Sequence, residues 1–185
     1  MARGSRTRTS LGRPRALVEA GWSGRPEPFR GSARTDPGMT DVPAELRRRI
    51  EDDPFCDLVG IELRSIEPGR AVTTLELTAD HCNFHGVPHG GAIFSLADAA
   101  FAAASNAAGE TALALEANVS YLEGVEPGTT LVATATETHR SRRTAEYQVT
   151  VEAIAGADPT GEEGADGDGD RIATFRGRVY LPGTT

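Results

Sequence analysis

Apolar and polar residues alternate with a period of two along much of this chain, and in one stretch they stop alternating. Between Ala71 and Thr78, Leu75 and Leu77 alternate with Glu76 and Thr78, the pattern of a strand with one face on a core. Leu58 to Ile66 reads as the strand before it, joined by the turn sequence Glu67-Pro68-Gly69-Arg70. Four more strand candidates follow, at Ala112 to Leu122, Thr130 to His139, Thr144 to Ala155 and Arg171 to Leu181. Pro127-Gly128 and Arg140-Ser141-Arg142-Arg143 mark tight connections between them. Ahead of all these, Pro43 to Asp52 predicts a short helix, with Thr40 or Asp41 as its cap, Pro43 in its first turn and Pro54 as its stop.

The stretch without alternation runs from Asn83 to Gly109. Its centre, Gly91 to Ala104, is apolar or small on every side apart from Ser95 and Asp98. A surface helix shows one apolar stripe and one charged face, and a bilayer span needs about twenty apolar residues. This segment therefore predicts a helix wrapped by protein on nearly all sides. Burying an unpaired carboxylate is expensive, so Asp98 is the first candidate for chemistry. Blander roles for it are the cap of a shorter helix beginning at Ala99, or a local hydrogen bond with Ser95. Helix, two strands, one buried helix and four strands predict an α+β protein: an antiparallel sheet wrapped around one long central helix, plus a short N-terminal helix. Edge strands of such a sheet need cover, which oligomerisation provides.

Composition divides the chain. Residues 1–38 carry eight arginines against three acids, are rich in Gly, Ser and Pro, and show no periodicity; they read as a disordered extension. Their Arg-rich start resembles a transit peptide in composition, but the change at Met39 is abrupt, so we expect translation to begin there and 1–38 to be a misassigned extension. Residues 39–185, the expected domain, hold eleven arginines, no lysine and twenty-four acids, which argues against nucleic acid and anionic membranes as partners. Cys56 and Cys82 form no CxxC pattern and suit a reduced, cytoplasmic setting. The acidic stretch 156–170 reads as a mobile surface loop; its DGDGD run lacks the Glu a calcium loop needs at position twelve, where Gly177 stands.

Asn83, then His89-Gly90-Gly91, then Asp98 eight residues after the first of these glycines, with strands ending in Phe175-Arg176-Gly177, resembles the motif of hotdog-fold acyl-CoA thioesterases. Phe94 to Asn106, Tyr121-Leu122 and Pro127-Gly128-Thr129 extend the likeness over about residues 55–181, and Asp rather than Glu at position 98 favours the PaaI type associated with phenylacetate degradation. The resemblance implies hydrolysis of an acyl- or aryl-acyl-CoA thioester to free acid and CoA, with no metal or organic cofactor. It makes Asp98 nucleophile or general base and Gly90 N–H the leading oxyanion donor. Asn83 then orients the thioester or water, and His89 shapes the loop and helix start. Some relatives place a Ser on the strand after the helix to hold the attacking water; here that place is Ala114.

The residues make their own demands. Gly90 and Gly91 would offer free N–H groups and close approach at a helix N-terminus. Eight residues of helix rise about 12 Å, so Gly90 and Asp98 of one chain should not serve one carbonyl. Two antiparallel helices about a two-fold axis would bring one chain's Gly90 near the other's Asp98. The resemblance implies the same composite site, in a homodimer or tetramer. Arg140, Arg142 and Arg143 are the only arginines between Glu110 and Asp170, and read either as a clamp for CoA phosphates or as a solvated turn. His81, Cys82, His85 and His89 raise a zinc reading, but their spacing fits no strong motif. A non-catalytic acyl-CoA-binding hotdog module is the rival from another class.

Overall fold

The computed structural model describes residues 41–154 and 170–182. The expectations for residues 1–38 and for the acidic connection up to residue 169 lie outside that range. Helix α1 (Ala44–Glu51) has Pro43 in the cap position with no side-chain cap, so the expected role of Thr40 or Asp41 gives way to proline's fixed extended geometry. A second helix, α2 (Pro54–Val59), stands where Pro54 was expected only to stop the first. The carboxylate of Asp53 accepts from the N–H groups of Phe55 and Cys56 at 2.8 and 3.0 Å, and Pro54 sits in the first turn, where it has no N–H to leave unpaired. Gly60 ends α2 at φ +81°, a conformation that a side chain would strain. The first strand consequently starts at Ile61 rather than Leu58.

Six strands follow the expected order: β1 (Ile61–Glu67), β2 (Arg70–Glu76), β3 (Leu113–Tyr121), β4 (Thr130–Arg140), β5 (Thr144–Ile154) and β6 (Asp170–Tyr180). They form one sheet in the order β1-β2-β4-β5-β6-β3, antiparallel at each pairing. The long helix α3 (Gly90–Asn106) lies across one face of this sheet, so the architecture is the expected α+β layer. Leu75, Leu131, Ala133, Tyr147, Val149, Val151 and Phe175 from the strands meet Leu96, Ala97, Ala100, Phe101 and Ala104 from α3, all essentially solvent-free. Alanines on both surfaces let the helix sit close. Thr73 Oγ1 donates to the Leu96 carbonyl at 3.1 Å and ties β2 to the middle of the helix. Phe101 lies flat against Gly177: a Cβ there would come within 2.6 Å of the ring, so that glycine is a seat for the aromatic.

In one respect α3 differs from expectation. Gly91, Ser95, Asp98, Ala102 and Asn106, spaced by four, three, four and four, form a stripe that is not fully buried, and Ala102 is exposed. A single protomer covers the inward side of the helix and leaves this stripe open. The two sheet edges differ in the same sense. The β1 edge has α1 and α2 against it, whereas β3 is open along nearly its whole length, with Leu113, Leu115 and Tyr121 each about half exposed.

Candidate active site

The loop from Cys82 to Pro88 closes on itself before α3 begins. Cys82 pairs with Pro88, Asn83 N–H donates to the Val87 carbonyl at 2.8 Å, and Gly86 N–H donates to the Asn83 carbonyl at 2.9 Å. The side-chain oxygen of Asn83 accepts from His85 N–H at 2.8 Å, an Asx turn that fixes its amide and leaves the NH2 end available. Asn83 thus holds the loop that delivers the chain to Gly90.

His89 occupies the cap of α3, and its Nδ1 accepts from Gly91 N–H at 2.8 Å. That ring nitrogen is therefore unprotonated and the proton sits on Nε2. The geometry makes His89 the cap of the helix, and it changes the expectation for Gly91. The N–H of Gly91 is already bonded, so it does not offer a free donor. Ala92 N–H turns back to the His89 carbonyl at 2.9 Å. Gly90 N–H, by contrast, has no protein partner among the described residues, and the positive end of a seventeen-residue helix lies behind it. Of the two glycines, Gly90 alone presents an N–H unpaired among the described residues.

Asp98 sits mid-helix, since α3 runs unbroken from Gly90 to Asn106, so it caps nothing. Nor does it pair with Ser95, whose hydroxyl donates to the Gly91 carbonyl at 2.8 Å. Its side chain is on the open stripe, and partial burial raises its pKa above the ordinary 3.8. The same carboxylate, with Asp53 and Asp57, adds to the burial that pushes the Cys56 thiol of α2 up to about 11. Ala114, where some relatives would have a serine, is exposed on β3 beside a bulge.

The zinc reading finds no support in His81. Its Nδ1 accepts from Thr78 N–H at 2.9 Å and its Nε2 bonds the Val59 carbonyl at 2.8 Å, so both ring nitrogens are committed to holding the loop on α2. The arginine cluster divides. Arg140 is tied down: Nε reaches both carboxylate oxygens of Glu137 at 3.2 and 3.0 Å, Nη1 lies 3.6 Å from Glu110, and Nη2 donates to the Tyr147 hydroxyl at 3.4 Å. Tyr147 in turn donates to Glu137 at 2.7 Å. The charge of Arg140 is thus already matched by two carboxylates, which distinguishes it from the other two arginines of the cluster. Arg143 donates to the Tyr180 hydroxyl at 2.7 Å, and Arg142 has no ion pair among the described residues, so these two remain the cationic tip of the hairpin. A cavity of about 930 Å³ includes neither Gly90 nor Asp98; its lining runs through Arg64, Thr74, Glu76 and Thr130. Thr73 faces α3, so its neighbour Thr74 places that cavity on the other side of the sheet.

A sheet curved over one helix, with an N–H at the helix tip and a carboxylate in its middle, defines a hotdog-fold protein. Residues 85–159 match the family model described as the thioesterase superfamily. The chain is 39% identical over 135 residues to the acyl-coenzyme A thioesterase PaaI of Escherichia coli K12, spanning 73% of this chain and 87% of the relative. Among solved structures, a variant of the phenylacetic acid degradation protein PaaI from Thermus thermophilus is 37% identical with a TM-score of 0.60, covering 70% of this chain and 99% of that one. The smu.793 protein of Streptococcus mutans UA159, solved bound to acetyl CoA, is 25% identical with a TM-score of 0.57, covering 67% and 90%. The chain belongs to the thioesterase superfamily, among its PaaI-type members, and is a thioester hydrolase.

Proposed function

We propose that this protein hydrolyses acyl- or aryl-acyl-CoA thioesters, phenylacetyl-CoA-like substrates among them, to free acid and CoA, in the cytoplasm. The observation that carries the reading is the pairing on one helix of a Gly90 N–H at the tip with a half-buried carboxylate at Asp98, neither of which has a hydrogen-bond partner among the described residues. Thioester cleavage needs these two functions on opposite sides of the carbonyl: a donor for the developing oxyanion, and a nucleophile or base. The helix between them rises about 12 Å, so they serve different substrates within one chain. A homodimer with antiparallel α3 helices supplies each carbonyl with one group from each copy, giving two shared sites. The open α3 stripe and the bare β3 edge, with its exposed Leu113 and Leu115, are the surfaces such a partner would cover.

In this reading Asp98 attacks the carbonyl or deprotonates water, Gly90 N–H stabilises the oxyanion, and the Asn83 amide donates to the thioester or the water. Gly91 contributes closeness of approach and His89 the cap. Arg142 and Arg143 meet the phosphates of CoA. The chemistry is carried by the carboxylate and calls on no metal. The smu.793 relative, solved bound to acetyl CoA, supports the substrate class. Among the described residues no helix is long and apolar enough to cross a membrane.

Thiol release from a panel of acyl-CoAs that includes phenylacetyl-CoA tests the activity, with light scattering on the same sample for the assembly. Turnover of at least one CoA ester by a dimer or tetramer is expected. Absence of turnover across the panel, or full activity in a monomer, would refute the reading.

A further inference from the structure

The free N–H of Gly90 does not hold its aim by helix geometry alone. Gly90 belongs to two peptide units, and the one on its C-terminal side is gripped at both polar atoms by side chains. The Tyr121 hydroxyl, from the far end of β3, donates to the Gly90 carbonyl at 2.8 Å. The N–H of the same unit, on Gly91, goes to His89 Nδ1, also at 2.8 Å. A Cβ on Gly90 would come within 3.0 Å of the Tyr121 ring carbon and hydroxyl, so the aromatic lies directly on the glycine. The cap is itself anchored: His89 N–H donates to the His81 carbonyl at 2.8 Å, and the His81 ring bridges Thr78 and Val59.

A carbonyl oxygen in the first turn of a helix ordinarily accepts only from an N–H further along the chain. Here it receives a second donor from a strand 31 residues away. Fixing this peptide plane removes rotation about ψ at Gly90, the residue least able to restrict it for itself, and the preceding peptide is held at its other end, where the His89 carbonyl accepts from Ala92 N–H at 2.9 Å. With both planes held, the Gly90 N–H has one direction. Donors in an oxyanion hole count for most when they are already in place.

We infer that Tyr121 is a positioning residue: its hydroxyl, together with the His89 imidazole, locks the Gly90–Gly91 peptide so that Gly90 N–H points at the substrate oxygen. The inference rests on the thioester hydrolysis proposed above. Tyr121 contributes to the transition state through the backbone, without touching the reacting atoms.

Tyr121→Phe removes the hydroxyl and keeps the ring. The expected result is a fall in kcat of about fivefold to tenfold with KM changed by less than about twofold, since the lost alignment matters most when the oxyanion forms. The Gly91 amide shares the affected peptide, so its 15N resonance, read in glycine-labelled protein, should move while the melting temperature and assembly stay those of the parent. An active parent enzyme with an equally active variant overturns this inference and leaves the proposed function standing. So does a rise in KM at unchanged kcat, which would make Tyr121 a binding residue, or an unmoved Gly91 resonance, which would mean that the hydrogen bond is not made. A parent enzyme inactive on every CoA ester overturns both.

Discussion

The two sides of α3 use the same few residue types to opposite ends. Facing the sheet, Leu96, Ala97, Ala100, Phe101 and Ala104 are sealed from water, and the ring of Phe101 rests edge-on to Tyr147 and against Gly177. Facing away, Gly91, Ser95, Asp98, Ala102 and Asn106 are also small or short, but one of them is charged and none is sealed. The inward side is finished within one chain. Its partners are chosen by shape, and a change there should be read as stability. The outward side is unfinished within one chain and holds a carboxylate that stability alone would not select, so a change there should be read as chemistry.

The sharpest test of that contrast is Asp98→Asn. Removing the proposed nucleophile or base should lower kcat by about a thousandfold or more. It should also stabilise the fold slightly at neutral pH, and the sign follows from linkage. Burial raises the pKa of Asp98 above 3.8 in the folded state. The folded protein therefore binds this proton more tightly than the unfolded chain, and the residue's contribution to stability is lost as pH rises through the folded pKa. Asn avoids that loss, so its melting temperature should exceed the parent's by about 1–2 °C near pH 7 and converge with it in acid. For the parent, the acid limb of kcat/KM should lie above the ordinary 3.8 of an aspartate. A variant that is both inactive and destabilised would erase the distinction between the two sides.

Gly177→Ala probes the inward side. The added carbon would stand 2.6–2.8 Å from three ring atoms of Phe101. That ring is pinned by Tyr147 and Phe175, with centroids 5.5 and 5.6 Å away, so it has nowhere to retreat. Overpacking of this kind costs about 1–3 kcal/mol, or a melting temperature lower by roughly 3–10 °C. Folded Gly177→Ala should still turn over substrate at a rate within about threefold of the parent. A large loss of kcat in a fully folded sample would mean that the inward side also carries chemistry.

How much of this could be read from the chain depended on the range of the interaction. Alternation at Leu75 and Leu77 and its absence over Gly91–Ala104 come from local burial, and both the strand order and α3 were visible in them. Helix α2 was missed because Pro54 ends one helix and opens the next, and the deciding contact is the Asp53 cap rather than the proline. The ion pairing of Arg140 is hidden from the sequence for a subtler reason. Residues three apart on a regular strand point to opposite faces, but a bulge between Glu137 and His139 turns Glu137 and Arg140 to the same side. No periodicity announces such a bulge. The contact between Tyr121 and Gly90 depends on where β3 ends beside the helix tip, which only the assembled sheet decides.

The smallest effect asks how far the outward side reaches. Cys56 lies on α2, not on α3, yet its thiol, pushed up to about 11 chiefly by burial, is raised further by the charges of Asp53, Asp57 and, last, Asp98. Only the last of these belongs to the open stripe. Alkylation proceeds through the thiolate, so at pH 9 its rate measures how strongly neighbouring anions suppress that form. Asp98→Asn removes one anion and leaves burial untouched. Modification of the Cys56 peptide, followed by mass spectrometry, should therefore quicken by about twofold at most. In Gly177→Ala, compared well below its melting temperature, the rate should be that of the parent. An unchanged rate in Asp98→Asn would place the carboxylate's field away from α2 and confine the outward side to the helix itself. A faster rate in both variants would point instead to general loosening, and the two sides of α3 would then differ less than their residues suggest.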